Sequence, residues 1–452
     1  MAALRPRIGL VATLVADAAL FGVLIRHTEY RHHALWLYCL GLPVFAISVV
    51  LLARCRLPRR SALFVIFGAG LVLQLIAVSK PTTTTDDDYR YIWDAKVQLA
   101  GIDPYRYPPR SIELAGLREE LLFPTTRCPR RVPGGCTAIN RARVRTVYPP
   151  VAEGAFVAIR VASFGGRGNH FPIQLAGALG VLAIGSLLAR WALARGRPVW
   201  TVALWLWCPL PIMEFSNAGH IDWLAILLSV LALGFAGTRR SLGAGLLLGA
   251  AIATKLYPAV VLPALLRRRP GVVVGAALGL VALSYLPHVL AVGTNVLGYL
   301  PGYLREEQYT SGGRFLLLGA VLPHGLDTVA GVLVLGAVAW WAARRSDPDA
   351  PEHTAVVLMG ATLLVTTPVY GWYAGLLLAL VALSGALEWL PVALAPTLIY
   401  LIQGDFGLHP GMAALVYAAA AVLAGSGFLL RRQASPTRVQ SAPQTEVAAT
   451  VR

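Results

Sequence analysis

From residue 8 to residue 430 the chain alternates long apolar runs with short breaks that are mostly basic. A helix that crosses a bilayer needs about 20 apolar residues. On that measure the pattern predicts spans near 8–25, 35–53, 61–79, 171–190, 198–215, 221–237, 271–290, 325–343, 353–369, 371–386, 389–403 and 411–430. Two shorter apolar runs between 241 and 266 meet at Lys255-Leu256-Tyr257-Pro258. Neither is long enough to cross comfortably, so the pair reads as a hairpin of half-depth or tilted helices of the kind that lines a site. The segment Tyr148 to Gly165 is apolar but broken by Glu153 and Arg160, and reads as interfacial or re-entrant. The expected organisation is three spans in residues 1–79, a long polar loop with interfacial helices in 80–170, the rest of the bundle in 171–430, and a polar, disordered tail in 431–452.

Composition sharpens this into an all-α integral membrane protein. Hydrophobic residues make up 57% of the chain and charged residues 13%, against about 25% charged in soluble domains. Mean hydropathy is +0.64. No room remains for a large soluble domain. The first run, Ile8 to Ile25, is too long for the apolar core of a signal peptide and no small-residue cleavage site follows it, so it reads as the first span. A net charge of +17 raises the question of nucleic acid, but the basic residues are scattered between spans, where their role is topological.

With the N-terminus in the cytoplasm, Arg54/Arg56/Arg59/Arg60, Arg190/Arg195/Arg197, Arg239/Arg240, Arg267/Arg268/Arg269, Arg344/Arg345 and Arg431/Arg432 all fall on the cytoplasmic side. The expectation is a multi-pass protein of the cell membrane with both termini cytoplasmic. The polar motifs then gather on the opposite, extracytoplasmic face. They are Asp86-Asp87-Asp88, the segment Asn217 to Asp222, the Lys255 tip, the loop 302–315, and Tyr370-Gly371-Trp372-Tyr373. Carboxylates near lipid are costly, so such a gathering points to one active site.

Residues 86–99 have helical spacing. Thr85 suits an N-cap and three aspartates in the first turn complement the helix dipole, which explains the run without any chemistry. A second reading places Asp87, Arg90 and Asp94 on one face, with Tyr89, Ile92, Trp93 and Lys96 on neighbouring faces, and makes a carboxylate a general base. His220 and Asp222 interrupt the start of an apolar span and read as substrate contacts, as do Asn217, Asp94, Trp93 and Tyr89; the bland alternative is that Asn217 or a backbone group merely satisfies the aspartate. No second histidine or carboxylate is spaced to make them a metal site. Lys255 either snorkels toward headgroups or, like Arg90 and Arg314, holds a phosphate. Tyr370, Trp372 and Tyr373 are belt aromatics or a stacking platform for sugar. Cys128 and Cys136 share one polar loop and are expected to pair if that loop is outside the cytoplasm. No nucleotide phosphate loop is present, so an activated donor on that face should be membrane-borne.

The stretch DDDYRYIWDAKVQLAGIDPYRYPP resembles the first-loop signature of polytopic bacterial glycosyltransferases of the C type, through Asp87, Tyr91, Trp93, Asp94, Gly101, Pro104, Tyr105 and Tyr107. Tyr148-Pro149-Pro150, the Asn217–Asp222 segment, Lys255-Leu256-Tyr257-Pro258 and the late aromatic pair are similar to that group as well. The resemblance implies a bundle of about 11–14 transmembrane helices with a long first extracytoplasmic loop. It implies that Asp87, with Asp86 next in line, is the base on an acceptor hydroxyl, and that Lys255, His220 and Arg90 hold a polyprenyl-phosphate donor that reacts with inversion.

The implied donor sugar is mannose, or next arabinofuranose. The implied partners are a cell-envelope glycan or glycolipid and the bilayer, with no nucleic acid and no cofactor, a divalent metal being left open. The chain departs from the pattern at Ala95, where glycine is usual, at the extra acid Asp88, and in the Cys128–Cys136 loop. A transporter or flippase of a lipid-linked sugar is the rival reading. It calls for repeated halves with matching broken helices, and only one broken hairpin is visible.

Overall fold

The computed structural model of the chain describes residues 4–27, 34–82, 84–126, 128–132, 135–163, 169–309, 314–323, 325–407 and 410–434. Three helices open the bundle, α1 (Leu4–His27), α2 (Ala34–Arg54) and α3 (Arg59–Ala77). The polar loop carries α4 (Asp88–Leu99), a two-stranded antiparallel hairpin of β1 (Arg130–Val132) and β2 (Gly135–Thr137), and α5 (Pro150–Ala162). The bundle resumes with α6 (Phe171–Ala194), then α7 (Val199–Leu206) and α8 (Pro209–Asn217), α9 (Asp222–Gly237) and α10 (Ser241–Ile252). A 3₁₀ segment, Tyr257–Leu265, leads to α11 (Pro270–Val292), α12 (Leu300–Glu306) and α13 (Leu326–Arg345). The chain closes with α14 (Glu352–Thr366), α15 (Gly375–Ser384), α16 (Leu390–Phe406) and α17 (Pro410–Ala434).

Among the described residues, eight helices are long and apolar enough to cross a membrane, or nine if the bent pair α7–α8 counts as one span. That is fewer than the sequence pattern predicts, and the reason is physical. At about 1.5 Å per residue, the 15 residues of α14 reach roughly 22 Å, short of a hydrocarbon core of about 30 Å. All ten residues of α15 are buried. These apolar runs face protein, and hydropathy alone does not distinguish a protein interior from lipid. The α7–α8 pair bends by 44° after Trp207-Cys208 and ends in a π-helical turn, Ile212–Asn217.

The loop region folds on a core of its own. Tyr91 stacks on Phe156 at 4.4 Å, Tyr148 meets Tyr91 edge-on at 5.1 Å, and Trp93 packs against Phe123 at 5.0 Å. Each fully buried ring contributes about 1.5–3 kcal/mol, so α4 and α5 are held together chiefly by aromatic burial. Hydrogen bonds then fix this unit to the bundle. Val151 N–H donates to the Ala253 carbonyl at 2.9 Å, and Tyr400 Oη to the Thr84 carbonyl at 2.8 Å.

Several expectations need correction here. The acidic helix begins at Asp88, not at residue 86, and Thr85 does not cap it. Its hydroxyl accepts the Asp87 N–H at 3.2 Å one step earlier. Only Asp88 of the three aspartates lies in the first turn. The tail expected from residue 431 is still helical to Ala434, and its remainder lies outside the described residues. So do residues 310–313 of the 302–315 loop and 164–168 at the end of the interrupted apolar segment. Cys128 and Cys136 form a disulfide across the hairpin.

Candidate active site

A single cavity of about 670 Å³ opens where the loop unit meets the bundle. Asp86 and Asp87 line it, and so do Arg90, Lys255, Tyr370, Trp372 and Tyr373. Segments some 285 residues apart in sequence thus meet at one place. Part of its wall is apolar, from Leu256, Leu300, Leu304, Met359 and Leu363.

Asp87 sits just ahead of α4, and its carboxylate is held from two sides. Asn140 Nδ2 donates to Asp87 Oδ1 and also to Asp86 Oδ1, the latter at 2.8 Å. His220 Nε2 lies 3.6 Å from Asp87 Oδ2. Burial alone would push this carboxyl up. The closeness and charge of His220, the Asn140 amide and the charge of Lys255 outweigh burial and hold it at about 2. Asp87 is therefore ionised across the physiological range. Asp86 is ion-paired to Arg130 on β1.

His220 itself does not line the cavity. It is 1% exposed, in the turn between α8 and α9, with its ring 4.1 Å from that of Trp372. Burial pulls its imidazole down, but the nearby carboxylates of Asp87 and Glu214 raise it to about 9. Gly219 makes the turn possible. Its φ of +72° lies in the left-handed region, and a Cβ there would stand 2.7 Å from Ile173 Cγ2.

Of the basic side chains that line the cavity, Lys255 and Arg90 differ in how firmly they are held. Lys255, in the break after α10, is 3.3 Å from Asp222 Oδ2 and 4.9 Å from the centre of the Tyr148 ring. Arg90 is 5% exposed and bonds Asp94 through Nε at 2.9 Å and the Val144 carbonyl through Nη1 at 3.1 Å. Its Nη2 has no hydrogen-bond partner among the described residues. That leaves a buried, oriented donor beside the cavity, a good match for an anionic oxygen.

The remaining predicted residues lie behind this surface. Asp94 lies on α4, which follows Asp87, but is tied to Arg90 and does not reach the cavity. Trp93 is 1% exposed within the loop core. Tyr89 packs edge-on to His170, at 4.8 Å. Asn217 holds α3, and Asp222 neutralises Lys255. Arg314 is paired with Glu307 and sits over the Tyr309 ring, which does line the cavity. Asp88 turns away to pair with His170, burial pushing its carboxyl up despite that partner. Among the described residues, no three His, Cys, Asp or Glu side chains come together as metal ligands.

Four residues at the site gave little sign of themselves in the sequence. Asn140, Arg130 and Arg141 come from the loop after the hairpin or from the hairpin itself, and Arg141 bonds Glu306 of α12 across the cavity mouth, at 2.6 Å. Glu214, buried behind His220, lies in the apolar run PLPIMEF. Its isolated acid was the available signal, since a lone carboxylate inside an apolar span is costly without a purpose.

Comparison with known proteins gives a match to a family model. Residues 147–368 match the family model of glycosyltransferase family 87. Neither the curated proteins nor the solved structures give a match. The matched region contains His220, Lys255 and the segment up to Pro368, and it begins just after Asn140. Similar to glycosyltransferase family 87 over that region, the chain is a polytopic membrane glycosyltransferase of the kind its motifs resemble.

Proposed function

We propose that the enzyme transfers a sugar, mannose first and arabinofuranose next, from a polyprenyl-phosphate donor to a hydroxyl of a cell-envelope glycan or glycolipid. The observation that carries this reading is the make-up of the single cavity. It combines an ionised carboxylate, a set of basic side chains that includes Lys255 and Arg90, a stacked aromatic pair and an apolar wall. A lipid-linked sugar phosphate has matching parts, namely a leaving phosphate, a sugar ring and an isoprenoid chain.

In this mechanism Asp87 accepts the proton of the acceptor hydroxyl as its oxygen attacks the anomeric carbon. The bond from that carbon to the phosphate oxygen breaks on the opposite face, and the phosphate leaves with the electron pair. Inversion follows. Lys255 and the free Nη2 of Arg90 hold the phosphate charge, and Tyr370 and Trp372, stacked at 4.5 Å, offer a face to the sugar. His220 keeps Asp87 ionised and aligned, and Asp86 is the neighbouring acid that shares Asn140 with it. Arg314 acts on the site through Tyr309. With both termini in the cytoplasm, the cavity opens on the extracytoplasmic side, where lipid-borne donors replace nucleotide sugars.

The test is transfer by the purified protein in detergent, supplied in parallel with synthetic polyprenyl-phosphate mannose and polyprenyl-phosphate arabinose, with product mass as the readout. Release of polyprenyl phosphate matched to a new glycoside supports the reading. Turnover of nucleotide sugars with none of the lipid donors overturns it. Cysteine labelling at position 87 in intact cells checks the orientation.

A further inference from the structure

We propose that Glu214 is the positioning residue that fixes and charges His220 beside Asp87. The proposal rests on the reading of Asp87 as the base and adds to it a buried second carboxylate.

The geometry is specific. Glu214 is 3% exposed, on the π-helical turn that ends α8. Its carbonyl accepts from both the backbone N–H and Nδ1 of His220, each at 3.0 Å. Its carboxylate Oε2 lies 3.3 Å from the same Nδ1. One residue therefore commands the whole Nδ1 side of the imidazole and leaves Nε2 for Asp87. A π-helical turn is rare and concentrated at functional sites, and here the wider turn brings residue 214 round to residue 220.

Glu214 cannot touch substrate. It does not line the large cavity, and the pocket it does border, with Tyr38, Thr84, Met213 and Thr397, is about 10 Å³, too small for any sugar. Its Oε1 would stand 2.4 Å from a Cβ placed at residue 371, so glycine there is what admits the carboxylate. That glycine lies between Tyr370 and Trp372, which links the aromatic platform to the acid behind it.

The charge pattern explains the purpose. Asp87 and Glu214 flank His220 directly, Trp372 covers its ring, and Asp86 and Asp88 stand on the adjoining turn. Lys255 is the opposing cation, and Asp222 neutralises it. A second carboxylate on the imidazole favours its protonated form, and a protonated His220 orients the Asp87 carboxylate as its ion-pair partner.

The experiment is the pH profile of transfer for Glu214→Gln, Glu214→Asp and Gly371→Ala, with lipid-linked donor as substrate. The expected result for Glu214→Gln is an alkaline limb displaced downward by about one pH unit, so kcat falls about fivefold more at pH 9 than at pH 6. The donor KM should hold. Gly371→Ala should displace the limb in the same direction, and Glu214→Asp should restore part of it. A loss equal at every pH, or an unmoved limb, overturns the proposal. Imidazole ¹⁵N spectra of the wild-type protein, with His220→Gln to assign the signal, give a readout independent of variant folding. A His220 that titrates at or below an ordinary histidine overturns it too. Asp87→Asn, run alongside, separates the two ideas: if it stays active the functional reading fails, whereas an inactive Asp87→Asn with an unmoved Glu214→Gln limb removes only the role of Glu214.

Discussion

His220 Nε2 stands 3.6 Å from Asp87 Oδ2, and each residue favours the charged form of the other. The pair ties α4, at the edge of the polar loop, to the α8–α9 turn of the bundle. Its energetics can be read from pH. The folded His220 is raised to about 9 from an ordinary 6.5, so its contribution to stability is complete below 6.5 and is lost as pH rises through about 9. Unfolding in detergent should show a decline of roughly 3 kcal/mol across that window. His220→Gln should flatten it, and an unchanged slope in that variant would assign the decline to another group.

Replacement of Asp87 by asparagine should lower kcat by roughly 10²–10⁴ while leaving the melting temperature within a few degrees. Asp88→Asn should do the reverse. Its carboxylate is fully buried and paired with His170 away from the cavity, so the change should cost stability first and activity second. Equal losses of kcat in the two variants would mean that the aspartates act as one cluster rather than as a base and a brace.

Lys255 offers a cleaner separation of roles. Lys255→Met leaves Asp222 buried without its cation, an arrangement that typically costs about 3–5 kcal/mol. Adding Asp222→Asn should return most of the melting temperature, since no charge then remains unpaired. Transfer should not return, because the cation facing the donor phosphate is still missing. Activity regained in the double variant would make Lys255 structural.

Apolar periodicity, the charge of the connecting loops and the Asp87-to-Tyr107 motif were enough to read a polytopic bundle with a loop-borne acid. The sequence could not show which apolar runs face lipid, because α15 is as hydrophobic as a span yet buried in protein on every side. Helical spacing put Asp87, Arg90 and Asp94 on one face. It could not show that Arg90 would bend back to Asp94 and leave only Nη2 for the cavity. Glu214 and Asn140 were the least legible. One depends on a π-helical turn, which has no sequence signature here, and the other on a hairpin that folds back 53 residues from its partner Asp87.

The hairpin is the natural place to test how that folding back is maintained. Its disulfide closes a separation of 8 residues, and β1 carries Arg130 to Asp86. By loop entropy such closure contributes about 2–3 kcal/mol, enough to set the order of the segment that delivers Asn140. Cys128→Ser with Cys136→Ser should raise protease sensitivity between residues 120 and 145 and lower kcat several-fold, and reductant should do the same to the native protein. Full activity in the double variant would show that Asn140 and Arg130 are held by packing alone.

Gly219 gives the sharpest stereochemical test of the site. Its φ of +72° costs an alanine about 1–2 kcal/mol, and the added Cβ also meets Ile173 Cγ2 at 2.7 Å. Relief of that contact must move either α6 or the turn, and the turn carries His220 away from Asp87. Gly219→Ala should therefore lose activity out of proportion to its stability loss, and the acid limb of its pH profile should rise toward an ordinary aspartate as Asp87 loses its cation. The double variant Gly219→Ala with Ile173→Ala removes the clash but keeps the backbone strain. If it recovers activity while remaining less stable than the native protein, the position of His220, and not the strain of the turn, sets the rate.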